Sequence, residues 1–120
     1  MDVFNSTVKQ LTTKIKDAQL TSVDLCKTYI QRIKKFEKDI KAWAHFDEKT
    51  LLDKAEESDN HRRSGKPLGL LHGIPVALKD IIGTFDMPTE CGTVLRKGMS
   101  ASQDAEIVDL LKSEGAIIMG

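Results

Sequence analysis

Residues 74–78, Ile-Pro-Val-Ala-Leu, are five apolar side chains in a row, introduced by Gly73 and closed by Lys79 and Asp80. A strand with one face in water alternates polar and apolar residues, because successive side chains point to opposite faces. A run without alternation has to be covered on both faces, which is the pattern of a strand in a parallel sheet. Pro75 has no N–H to give, so it fits only at the start of such a strand or beside an edge. A second run, Ala116–Met119, has the same character. Between the two lie a loop of about twenty residues, a length typical of functional segments, and then a helical pattern. That helix is expected to start at Ser102 as N-cap, with Asp104 and Glu106 in its first turn, and to stop at Gly115. Ile107, Leu110 and Leu111 are its expected buried face. Parallel strands need such a crossover, so residues 74–119 predict one strand–helix–strand unit.

The first half predicts helices. Val8, Leu11, Ile15 and Ala18 recur at helical spacing behind Ser6 or Thr7 as N-cap. A second helix opens with a capping-box pattern, Thr21 to Asp24, and carries the apolar stripe Leu25, Tyr29, Ile33, Phe36 and Ile40. Cys26 lies beside that stripe and reads as a packed thiol. Residues 42–46 predict a short strand. A third helix follows from Glu48 to Ser64, capped by Gly65. His61 falls on its polar surface, where it needs no function.

The expected class is α/β. A helical lead-in, residues 1–65, passes into the start of a sheet core, residues 66–120. This is the first strand–helix–strand unit of a larger mixed, mainly parallel sheet with helices on both faces. Two strands alone keep open edges, so residues 1–120 are expected to form the N-terminal part of a single larger domain.

Composition excludes several functions. The 18 basic and 18 acidic residues cancel, and a chain that binds nucleic acid needs a basic face to neutralise phosphates. No stretch approaches the roughly eighteen consecutive apolar residues of a membrane span. Cys26 and Cys91 are too few for a disulfide framework, and His45, His61 and His72 show no ligand spacing. A cytoplasmic protein without metal or cofactor is expected.

Lys79 is the candidate for chemistry. It closes the first buried strand, and ligands gather at the carboxyl ends of strands in open parallel sheets. Desolvation there disfavours the ammonium, which is how a lysine becomes a general base. The alternative is a lysine that reaches water or pairs with Asp80. Asp80 itself could orient the lysine or satisfy loop amides, and His72, among apolar residues, reads as structural. The loop segment Thr89-Glu-Cys91-Gly92-Thr93 either lines a pocket or only shapes the loop.

Read together, PLGLLHGIPVALKDIIGTFDMPTECGT, residues 67–93, and DAEIVDLLKSEGAIIMG, residues 104–120, resemble the opening of the amidase signature family. The resemblance extends over about residues 20 to 120 and includes the Tyr29–Ile33 stretch of the second helix. It implies hydrolysis of a carbon–nitrogen amide bond by a Ser–cis-Ser–Lys triad. A neutral lysine draws a proton through a bridging serine from a nucleophilic serine, and an acyl-enzyme forms. Lys79 matches the family's lysine. The two serines have no counterpart in these 120 residues, and Ser100 and Ser102 are in the wrong context to replace them, so the isolated chain is expected to be inactive. Substrate-binding positions would be Thr89, Cys91, Gly92 and Thr93. The expected partners are a small-molecule amide and, for the complete protein, a second copy of itself. The glutaminase subunit of a tRNA-dependent amidotransferase is an alternative within the family; there Asn typically follows Lys-Asp, where this chain has Ile81. Outside the family, a cysteine hydrolase built on Cys91 and a non-catalytic interaction module are the other readings.

Overall fold

A computed structural model describes residues 2–120. Each of the first three α-helices starts at a side chain that accepts an otherwise unpaired N–H of the first turn. Helix α1 (Val8–Lys16) opens with a reciprocal capping box, in which Thr7 Oγ1 accepts the Gln10 N–H while Gln10 Oε1 accepts that of Thr7. In α2 (Ser22–Ile40) the cap is Thr21, accepting the Asp24 N–H at 2.9 Å. In α3 (Glu48–Arg63) it is Asp47, accepting that of Thr50 at 2.6 Å. Gly65 turns the chain away from α3 with a φ of +74°. Ala18, expected inside the first helix, lies beyond it in the left-handed region.

Helices α2 and α3 are joined by a buried carboxylate. Asp59 of α3 is 0% exposed and accepts the N–H groups of Ser22, at 2.8 Å, and Val23, at 3.1 Å. These are first-turn donors of α2 that no helical carbonyl can reach. Beside it, burial and then the Asp59 charge push the Cys26 thiol up to about 12, so Cys26 stays a protonated, packed side chain.

The strand expected at residues 42–46 does not form. Lys41 ends α2 in the left-handed conformation, and the Trp43 N–H is taken by Glu37 Oε1 at 2.8 Å. A backbone donor engaged by a helix side chain is not available to a neighbouring strand. Residues 42–47 therefore run irregularly over the end of the sheet.

That sheet has two parallel strands, β1 (Pro75–Val76) and β2 (Ile117–Ile118), with Pro75 opposite Ile117 and Val76 opposite Ile118. Ile117 donates to the Ile74 carbonyl, Met119 to that of Val76, and Leu78 to that of Gly120, at 2.8, 3.0 and 2.9 Å. These bonds come from residues on either side of Pro75, so its missing N–H leaves the ladder intact. Strand β2 is covered on both faces. Ile117 and Met119 pack on Cys26, Ile30, Leu51 and Ala55 of α2 and α3, and Ile118 packs on Met87 and Val108. The first apolar run is covered less completely than its sequence implies. Ile74 is buried against Leu11, Ile15 and Leu25, Pro75 and Val76 are half-buried, and Ala77 is exposed.

Helix α4 (Glu106–Ser113) starts later than expected, behind Ala105 and without a side-chain cap. Ser102 is exposed and does not cap it. Asp104 is diverted to the preceding loop, where its Oδ1 accepts the Phe85 N–H at 3.0 Å and its Oδ2 meets Lys112 Nζ at 2.6 Å. The later start changes the buried face. Val108 and, half-buried, the expected Leu111 pack on Ile118 and its neighbours, while Ile107 and Leu110 are 53% and 60% exposed. The apolar stripe of α2 also ends in solvent, with Ile40 at 66%.

Candidate active site

Lys79 follows the last ladder bond of β1 and so leaves the sheet at the strand's carboxyl end. It walls a cavity of about 180 Å³ together with Trp43, His45, Asp80, Met87 and Gly120. The 42–47 connection can close over this end of the sheet because residue 120 is glycine. A Cβ there would lie 2.5 Å from the His45 carbonyl oxygen and 2.6 Å from the Trp43 ring. Lys79 is exposed and makes no ion pair among the described residues. Residues 2–120 thus do not supply the desolvating cover expected around it.

Asp80 does not pair with the lysine. Its Oδ1 accepts the Glu90 N–H at 3.0 Å, and its carbonyl accepts the Cys91 N–H at 2.9 Å. Two amides of the loop are thereby tied to the end of β1, the second of the two roles weighed from sequence. Cys91 and Gly92 turn there with φ of +55° and +70°. Thr89 is buried and fully engaged in shaping the loop. Its hydroxyl accepts the Thr84 N–H, its own N–H reaches the Met99 carbonyl at 2.8 Å, and its carbonyl accepts Arg96 Nε at 3.3 Å. Thr93 Oγ1 accepts the Leu95 N–H. The structure gathers Thr89, Cys91, Gly92 and Thr93 on one loop beside the lysine's strand, but none of them walls the cavity.

His72 stands at the opposite, amino end of β1. It is buried, with Nε2 3.0 Å from the Ser58 carbonyl oxygen and 3.3 Å from Ser58 Oγ, and its ring lies 5.3 Å from that of His61. His61 bonds the Pro67 carbonyl. Cys91 and His72 are therefore held at different ends of the strand, which keeps the His72 imidazole from the exposed thiol. Burial holds the His72 imidazole below its ordinary value of 6.5, with the Ser58 bond opposing that shift. The unfolded chain then takes up the proton first, so the fold loses stability as pH falls from 6.5 towards the lower folded value. Urea melts across that window should show the loss, and His72→Gln should flatten it.

Trp43, His45 and Met87 were not visible as site residues in the sequence. Their place depends on the irregular path of residues 42–47 and on the loop after β1. The available signal was Trp43, the sole tryptophan.

Comparison with known proteins matches this arrangement to one group. The Amidase family model matches residues 24–120. A glutamyl-tRNA(Gln) amidotransferase subunit from Rhodopirellula baltica is 37% identical over 107 residues, which is 89% of this chain and 21% of that protein. The native peptide amidase of Stenotrophomonas maltophilia superposes with a TM-score of 0.92 at 31% identity, over 99% of this chain and 25% of its own. A fatty acid amide hydrolase structure superposes with a TM-score of 0.88 at 26% identity, over 98% and 21%. The chain thus spans about a quarter or less of the length of these relatives. Among the described residues no helix is long and apolar enough to cross a membrane. With the parallel strand ending in lysine and aspartate, the glycine-turned loop and the helix leading to β2 all matched in that span, the chain belongs to the amidase family.

Proposed function

We propose that the complete protein hydrolyses a carbon–nitrogen amide bond, with Lys79 as the base of a Ser–cis-Ser–Lys triad. The observation that carries this reading is the position of Lys79. It stands at the carboxyl end of a parallel strand, on the wall of a cavity, and in no ion pair among the described residues. In its neutral form it takes a proton from the bridging serine, which takes one from the nucleophile. The nucleophilic oxygen attacks the amide carbonyl, the amine or ammonia leaves with a proton, and water releases the acyl group. Both serines lie outside residues 1–120, as does the larger sheet that would cover and desolvate the lysine. The 120 residues alone are on this reading inactive. The reading also places the protein in the cytoplasm, without a cofactor, acting on a small-molecule amide and pairing with a second copy of itself.

The test is a panel of simple amides incubated with the full-length chain, following amine or ammonia release. Turnover of none of them, by a folded protein, would sink the proposal. Thr89, Cys91, Gly92 and Thr93 are proposed to form the outer wall of the substrate site, beside the cavity. Cys91→Ala should then keep most of kcat and change KM modestly. A folded but dead Cys91→Ala would return the chemistry to the thiol.

A second reading is favoured by the relatives named as glutamyl-tRNA(Gln) amidotransferase subunits. On it the chain is the glutaminase part of such a complex, with glutamine as the amide. Ile81 after Lys79-Asp80 departs from the Asn typical of that glutaminase. Glutamine turnover that rises on adding the other members of such a complex, with the other amides inert, would decide for it.

A further inference from the structure

A separate cleft lies at the other end of the molecule's sheet. It has a volume of about 550 Å³ and runs between α1 and the connection from α3 to β1. Its walls bring together Lys16 of α1, Arg62 near the end of α3, and Lys66 of the following loop, and no carboxylate. None of the three cations is in an ion pair among the described residues. Isolated like charges repel, so three of them facing one cleft without a counter-charge describe a place where an anion is favoured.

Arg62 is only partly exposed. Its Nε is shut off from solvent and has no hydrogen-bond partner. An N–H closed to water is closed to a phosphate oxygen as well, so this atom bears on the packing of Arg62, and the cleft meets other atoms of the residue. The loop supplies more donors. The backbone N–H groups of Lys66, Leu68 and Gly69 have no acceptor among the described residues, although their neighbours Gly65 and Leu70 do. Glu114 is bonded to the same loop, its Oε2 accepting the Leu70 N–H, but it does not wall the cleft. The hydroxyl hydrogens of Thr12 and Thr13 are directed to the Lys9 carbonyl, so those two residues shape the cleft without donating into it.

We propose that this cleft binds the phosphate group of a small phosphomonoester, at a site distinct from the one containing Lys79. A guanidinium offers paired N–H donors that match phosphate oxygens, with the two ammoniums and the loop amides completing the shell. The convergence of the cations in one cleft, on a chain of zero net charge, favours a single phosphate over a nucleic-acid backbone. The proposal does not depend on the amidase reading, since Gly69 and His72 precede β1 whereas Lys79 follows it.

Equilibrium dialysis of the full-length chain against radiolabelled inorganic phosphate, at constant ionic strength, tests it. One saturable site is expected, displaced by glycerol phosphate and weakened about tenfold or more in Lys16→Gln/Lys66→Gln. Both lysines are exposed, so the variant should fold, as circular dichroism will verify. Absence of saturable binding up to roughly 10 mM would overturn the proposal. So would binding that is unchanged in the double variant. A short single-stranded RNA that binds more tightly than glycerol phosphate, and loses that binding in the variant, would overturn it in favour of a nucleic-acid surface.

Discussion

Replacing Lys79 by methionine in the full-length chain should lower amide hydrolysis at least about 10²-fold, the effect expected when a positioned general base is lost. Methionine keeps the length of the side chain and removes the only group on it that can carry a proton. Within residues 2–120 Lys79 is exposed and forms no ion pair, so there the substitution removes no packing and leaves no partner charge. Where the rest of the protein covers this position, as proposed, methionine is the easier side chain to bury, so the melting temperature should not fall while kcat collapses, a loss of about 2.7 kcal/mol or more in transition-state stabilisation. The loss should appear in kcat rather than KM, since the base acts on the nucleophile and not on the amide. Activity close to the parent's would remove Lys79 from the mechanism.

Asp59→Ala should lower stability by about 3 kcal/mol. The N–H groups of Ser22 and Val23 would lose their acceptor. Ser22 is fully buried, so water cannot easily take the carboxylate's place. Such donors cost roughly 1–3 kcal/mol each when left unpaired. The space left between α2 and α3 adds to the loss. Asp59→Asn keeps one carbonyl oxygen in place and should lose distinctly less. Urea melts of the two variants measure the difference. A loss below about 1 kcal/mol for the alanine variant would mean that α2 does not depend on this cap.

Much of the architecture was legible in local sequence, and the reason differs from element to element. The starts of α1 and α2 could be read because a cap is a contact within three residues, whereas Asp47, the cap of α3, was not singled out. Thr7, Thr21 and Asp47 each bond a backbone N–H of their own first turn. The pairing of β1 with β2 was implied by two apolar runs separated by a helical crossover, and the parallel orientation follows. The start of α4 was misread for a physical reason. Ser102 has the chemistry of a cap, but Asp104 is more strongly engaged by the Phe85 N–H and by Lys112. Phe85 lies 19 residues back, along a loop whose path no local rule supplies, while Lys112 belongs to α4 itself. The supposed strand at residues 42–46 failed in the same way, when Glu37 took the Trp43 N–H.

The sequence by itself determined that Lys79 would stand at the carboxyl end of a parallel strand, because apolar period and chain direction are local properties. It also determined the family, because a long ordered set of residues carries that resemblance. Only the tertiary structure decided what surrounds the lysine. Trp43, His45 and Met87 reach the cavity through irregular segments, and Gly120 admits the first two by lacking a side chain. The roles of Asp80 and Asp59 were likewise settled by distant partners. A carboxylate can face any donor within reach, and which N–H groups come within reach is fixed by how the helices and loops pack.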